Sequence, residues 1–175
     1  IICGLPGETY AGFKRTVEFL LSEVKQSMFA CARFRVLPAS YFWDHAGDYN
    51  LVYQKDPPHF LLFSDTFSKE DMDKANRLVF FIHLFFTILK GVKRMVEKNV
   101  FNNQLSVYEK IIDHISSRYP EFVSYFYDLA DAEEDVAECV YRTVKDPSIY
   151  KELGELRYDI IRDAREIVRS HRKGL

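Results

Sequence analysis

The stretch IICGLPGETYAGFKRTVEFLLSEVKQSMFACARFRVLP, residues 1–38, decides how the rest of this chain is read. Ile1 to Cys3 has the look of a strand's last residues. Gly4-Leu5-Pro6-Gly7 is a tight turn, because glycine permits positive φ and proline presets the turn's second position. Thr9 or Glu8 opens the following helix, since a side-chain oxygen there can accept a free backbone N–H. Phe13, Val17, Leu20, Leu21 and Val24 then recur at helical spacing, which predicts an amphipathic helix from Tyr10 to about Lys25. In Phe29 to Leu37 the period changes: Ala30, Ala32, Phe34 and Val36 alternate with Cys31, Arg33 and Arg35, as in a strand. Strand, helix, strand is a βαβ unit with a parallel pair and a right-handed crossover.

Two parallel strands need neighbours and cover on both faces. The sequence after Pro38 supplies no further βα units. Residues 41–63 are rich in turn formers (Gly47, Asp48, Asn50, Pro57, Pro58), with short extended segments predicted at 51–53 and 60–63. From Ser68 the pattern is helical. Ser68 and Asp71 form a capping box ahead of a helix over Lys69 to Lys90, whose inward stripe is Met72, Ala75, Leu78, Val79, Ile82, Phe85, Phe86 and Leu89. Gly91 ends that helix or kinks it. The next helix covers Gln104 to Arg118, with Leu105, Tyr108, Ile111, Ile112 and Ile115 inward, and Tyr119-Pro120 stops it. Phe122 to Leu129 and Glu134 to Val144 read as two helices or one bent helix. Asp146-Pro147 starts the last helix, which carries Ile149, Leu153, Leu156, Ile160, Ile161, Ala164, Ile167 and Val168 to a basic end at Arg169 to Lys173. The fold class is therefore mainly α: an N-terminal βαβ remnant of a partial (β/α) barrel in residues 1–64, then a helical bundle in residues 65–175.

Composition narrows the function classes. Apolar residues are 47% of the 175, enough for a real core. A net charge of −2 offers no basic footprint for nucleic acid. The longest apolar block, Leu78 to Leu89, is about 12 residues, short of the roughly 20 that span a bilayer, and reads as a buried helix. The first residues do not form the basic and apolar regions of a leader. Cys3, Cys31 and Cys139 are far apart and odd in number, which suits a reduced, cytoplasmic protein and not a disulfide framework. Alone they do not make a closed metal or iron–sulfur site.

IICGLPGET, a helix, a strand ending in VLP, and LVYQKDPPHFLLF before SKEDM resemble the C-terminal portion of a radical S-adenosylmethionine (SAM) enzyme. The nearest group is the cobalamin (B12)-binding one, relatives of the anaerobic magnesium-protoporphyrin IX monomethyl ester oxidative cyclase. The resemblance covers residues 1 to about 80. It implies a partial (β/α) barrel in which a C-x-x-x-C-x-x-C loop holds a [4Fe–4S] cluster and SAM caps the open iron. It further implies that Ile2, Gly4, Leu5 and Pro6, with Leu37 and Pro38 from the next strand's end, line the adenine side of the SAM cavity. The C-x-x-x-C-x-x-C loop and a cobalamin domain are absent here, and Pro38-Ala39-Ser40 stands where relatives often have Pro-Gly-Thr. The expectation is a C-terminal piece of a longer oxidoreductase, cyclase-like or methyltransferase-like, which lines and caps the cavity without being catalytic by itself. Its expected partners are the missing N-terminal part and a second copy covering the cut surface. The alternative is a helical protein-interaction module with no catalytic role.

Other residues are weighed the same way. Arg33 and Arg35 share one strand face and could bind an acidic substrate group; the competing reading is a solvated or helix-facing pair. Cys3 reads as a small buried apolar residue before a ligand. Asp44, His45 and His59 lack metal-ligand spacing. His83 sits in the most apolar helix and reads as a hydrogen-bonded core histidine. The run at Glu133 to Asp135 reads as a solvated turn, and a phosphate at the Gly-Leu-Pro-Gly turn would be opposed by Glu8. Phe80, Phe81, Phe85 and Phe86 read as core, although rings left uncovered by a missing barrel would be exposed and promote association.

Overall fold

The computed structural model describes residues 1–24, 29, 31–87, 89–98, 103–120, 122–124 and 147–173; side chains are described for the same residues except 87, 147–155, 172 and 173. The chain is mainly helical with a little sheet. β1 (Ile2–Cys3) leads through the glycine turn into α1 (Tyr10–Ser22), and β2 (Ala32–Arg33) returns parallel to β1 with Ile2 opposite Ala32 and Cys3 opposite Arg33. The βαβ unit read from residues 1–38 is therefore present. The Ala32 N–H donates to Ile1 O at 3.1 Å and the Phe34 N–H to Cys3 O at 2.9 Å. Past β2 the chain continues extended. Arg35 bridges antiparallel to Phe60, which joins β2 to a small hairpin of β3 (Val52–Tyr53) and β4 (Leu61–Phe63). Among the described residues, the outer edge of β1 has no strand beside it.

Residues 39–60 hold themselves together with rings. Ser40 Oγ accepts from the Trp43 N–H at 3.3 Å and starts a one-turn helix, α2 (Tyr41–Asp44), which sequence periodicity does not show. Phe42 meets Phe34 and Tyr49 edge-on at 5.3 and 5.5 Å, and Trp43 meets Tyr53 and His59 at 5.4 and 5.2 Å. Aromatic pairs of this kind add roughly 0.5–1.5 kcal/mol each beyond area burial. That is how a segment with so little regular structure keeps a fixed shape.

The helices follow the stripes closely. α3 (Lys69–Thr87) begins where Ser68 Oγ accepts the Asp71 N–H at 3.1 Å. α5 (Gln104–Arg118) has the predicted bounds, with Asn103 as its cap. One boundary is corrected: the helix foreseen over Lys69 to Lys90 closes at Thr87, and a separate α4 runs Lys90–Lys98. Gly91 neither ends nor kinks a helix. It lies inside α4, where a Cβ would sit 3.2 Å from Ile161 Cδ1, so its missing side chain lets α4 approach α6 (Pro147–Lys173). Of the helix foreseen over Phe122 to Leu129, residues 122–124 are helical; its remainder, the helix foreseen over Glu134 to Val144, the run at 133–135, Ala30, Cys139 and Asp146 lie outside the described residues.

One hydrophobic cluster runs through the molecule, from Cys3 and the α1 stripe of Phe13, Val17 and Leu21 to Val168 on α6. α3 is at its centre and is buried on every side from Leu78 to Phe86. The expectation that an incomplete barrel would expose Phe80, Phe81, Phe85 or Phe86 is overturned: all four are buried among the chain's own helices. Each buried ring is worth about 1.5–3 kcal/mol relative to exposure, so the bundle closes over them first. The exposed large apolar residues lie elsewhere and include Ile2, Leu5, Leu37, Val52, Leu62 and Phe63.

Candidate functional site

The site begins at the carboxyl end of β1. The Glu8 N–H donates to Leu5 O at 2.9 Å, with Pro6 and Gly7 (φ +82°) between, which is the signature of a type II turn. Thr9 is the N-cap of α1 and accepts the Gly12 N–H at 3.1 Å. Glu8, the other candidate cap, reaches back instead: its Oε2 accepts the Gly4 N–H at 2.7 Å. A carboxylate of the chain itself thus fills the place where the turn would attract an anion.

The carboxyl end of the second strand repeats this construction. The Ser40 N–H donates to Leu37 O at 3.1 Å across Pro38 and Ala39, and Ala39 has φ +61°. Ser40 then caps α2 as Thr9 caps α1. Leu5-Pro6 after β1 and Leu37-Pro38 in the extended stretch beyond β2 therefore both lead, through a residue in the left-handed region, into a capped helix. Alanine adopts that region at a cost that glycine avoids. At these ends Leu5 is 39% exposed and Leu37 is 53% exposed, and Ile2 on β1 is 47% exposed. Pro38 is also exposed and Pro6 half-buried. Gly4 differs from the other residues assigned to this wall. It is buried, with φ +87°, and a Cβ there would lie 2.8 Å from Met72 Cε and 3.1 Å from Leu61 Cδ2.

Arg33 and Arg35 do share one strand face. Their guanidinium carbons both lie over the Phe60 ring, 5.1 and 4.8 Å from its centroid. Such contacts are worth roughly 0.5–1 kcal/mol at accessible sites. Arg33 also lines a cleft with Leu61, Phe63, Lys69, Met72 and Asp73, among others.

Cys3 is buried, and burial first, then the neighbouring Cys31 sulfur and Glu8 carboxylate, push its thiol well above the usual range despite Arg33. Burial likewise pushes the Cys31 thiol up to about 12. At neutral pH both sulfurs are therefore held as thiols in the metal-free chain. Among the described residues, no three His, Cys, Asp or Glu side chains converge as a metal site. His45 lies stacked on Tyr41 with Nδ1 3.0 Å from Tyr41 O, and His59 Nδ1 is 3.1 Å from Gln54 O. His83 is buried in α3.

One polar cluster escaped the sequence reading. Asp163 on α6 is buried, and its Oδ2 accepts from Tyr119 Oη at 2.8 Å and lies 3.1 Å from His114 Nε2 and 3.3 Å from Arg118 Nε. The only signal for it in the sequence was an aspartate adjacent to the apolar stripe of the last helix. It ties α5 to α6 on the side of the bundle formed by those helices.

No helix among the described residues is long and apolar enough to cross a membrane. A scan against protein-family models finds no match, and neither does a search of the curated proteins or of the solved structures.

Proposed function

We propose that this chain serves as the C-terminal part of a radical SAM enzyme, where the ends of its two parallel strands form one wall of the SAM and substrate cavity and its helices cap that wall. The observation that carries this reading is the repeated Leu-Pro-(positive φ) turn, at Leu5-Pro6-Gly7 and Leu37-Pro38-Ala39. Ligands of parallel α/β sheets bind outside the carboxyl ends of the strands. Here those ends present Leu5 and Leu37 to solvent, and the backbone at Ala39 holds the conformation that a glycine in Pro-Gly-Thr would take freely. The edge of β1 that no strand covers among the described residues offers Ile2 and its backbone to a further barrel strand.

The division of labour follows from the residues. Cys3 and Cys31 lack the C-x-x-x-C-x-x-C spacing, so on this reading the [4Fe–4S] centre belongs to thiolates of another segment. A cluster with SAM would supply the 5′-deoxyadenosyl radical. Leu5, Pro6, Leu37 and Pro38, with Ile2, would give an apolar surface for the adenine and exclude water from it. Gly4 contributes by leaving room for Met72 and Leu61, which brings α3 against the strand end. Arg33 and Arg35, steadied by Phe60, would hold an acidic group of the substrate. Cobalamin and the cyclase or methyltransferase outcome rest on the family resemblance alone.

The test is twofold. The coding sequence ahead of Ile1 is expected to encode C-x-x-x-C-x-x-C, and the anaerobically reconstituted whole protein is expected to release 5′-deoxyadenosine from SAM. With Leu5→Asp or Leu37→Asp, SAM binding should weaken while cluster content stays the same. A coding sequence without clustered cysteines would refute the reading.

A further inference from the structure

We propose that the cleft between β4 and the first two turns of α3 is a binding site for a small zwitterion: an α-amino acid with an aliphatic side chain. The cleft holds about 170 Å³ and is lined by Leu61, Leu62 and Phe63 of β4, by Lys69, Met72, Asp73 and Asn76 of α3, and by Arg33. At a water's share of roughly 30 Å³, that is room for about half a dozen waters, too little for a nucleoside and suited to an amino acid. Leu61 and Met72 are buried and make an apolar floor.

The charges around that floor select the ligand. Lys69 and Asp73 stand one helical turn apart, and neither forms an ion pair with a described residue. On the same helix Glu70 and Lys74, at the same spacing, pair at 2.7 Å. The geometry thus leaves one cation and one anion directed to the cleft, next to the Arg33 guanidinium that Phe60 supports. A purely apolar ligand would leave both charges without a partner. A simple anion would face Asp73, and a simple cation would face Arg33 and Lys69. A zwitterion satisfies both: its carboxylate meets Arg33 and Lys69, its ammonium meets Asp73, and its side chain lies on Leu61 and Met72. The Asn76 amide, donor and acceptor at once, serves either end. The inference deepens the assignment of Arg33 to substrate binding and rests on that part of the reading only.

The experiment is a titration of the isotope-labelled chain with L-leucine, followed by backbone amide resonances. Saturable shifts are expected for residues 61–63 and 69–76. 4-Methylpentanoate, which lacks the ammonium, and 3-methylbutylamine, which lacks the carboxylate, should each bind at least about tenfold more weakly, the scale of one charge-assisted hydrogen bond. Arg33→Gln and Asp73→Asn should each weaken L-leucine by a similar factor, while unshifted α5 resonances report an intact fold. No saturable shift, or equal binding of leucine and either half-ligand, or variants that bind like the parent, would overturn the proposal. None of these readouts involves SAM or a strand added at β1, so failure here leaves the cofactor-wall reading intact, and the converse also holds.

Discussion

The carboxylate of Glu18 on α1 accepts the Leu105 N–H at 2.6 Å, at the first turn of α5, 87 residues along the chain. Its second oxygen accepts the Gln104 N–H at 3.1 Å. Two donors that a helix start leaves without an intrahelical partner are thus satisfied by a negative charge from the βαβ unit, where the α5 dipole favours one. The crossover helix is clamped to the bundle, with Lys14 and Glu109 pairing at 2.8 Å along the same contact.

Removing that clamp should be costly. Glu18→Ala is expected to lower stability by about 1.5–3 kcal/mol, the range for hydrogen bonds to a charged group. Lys14→Ala, which breaks a half-exposed ion pair, should cost under about 1 kcal/mol. Urea denaturation of the two variants checks the order; equal losses would refute the capping account.

Acid should loosen the α5–α6 contact. Burial alone would raise the Asp163 pKa, but the bonds from His114 and Tyr119 and the charges of Arg118 and Arg162 outweigh it and hold the carboxyl below its ordinary value. A folded pKa below the unfolded one, about 3.9, gives stabilisation that is fully present above the unfolded value. It is lost as pH falls through the folded value. The melting temperature should therefore drop on acidification below about pH 4, and Asp163→Asn should flatten that part of the profile. An unchanged profile in the variant would show that other carboxylates govern acid unfolding.

Ala39 carries a backbone conformation that its side chain disfavours. Ala39→Gly is expected to stabilise the chain by about 0.5–1 kcal/mol, despite the extra freedom that glycine brings to the unfolded state. Thermal or urea unfolding measures it. A loss of stability would mean that the turn does not hold its positive φ.

Gly4 and Gly7 separate backbone strain from packing. Both have positive φ, yet a Cβ at Gly7 meets nothing within 4 Å, whereas one at Gly4 meets Met72 Cε at 2.8 Å. Gly7→Ala should cost about 1–2 kcal/mol. Gly4→Ala should cost more, and Met72→Ala in the same chain should recover part of the difference. Equal costs at the two glycines would contradict the close contact between Gly4 and α3.

The sequence by itself determined the elements whose causes are local. The period change between residues 13–24 and 29–37 gave helix and strand, the Leu-Pro-Gly turn marked the crossover, and the stripes of α3 and α5 named core residues that are indeed buried. Ser68 and Thr9 act as caps because N-capping involves residues three apart. Tertiary structure decided everything that depends on distant partners. Gly91 reads as a helix breaker until Ile161 is found against it, and the Phe80 to Phe86 rings could be placed only once α1, α4 and α5 were seen to surround them. Asp163 gathers His114 and Tyr119 from more than forty residues away. The cleft at Arg33 joins a strand residue to a helix N-terminal to which no sequence period connects it. Local periodicity records which face of an element is apolar; which neighbour covers that face is settled only when the whole chain packs.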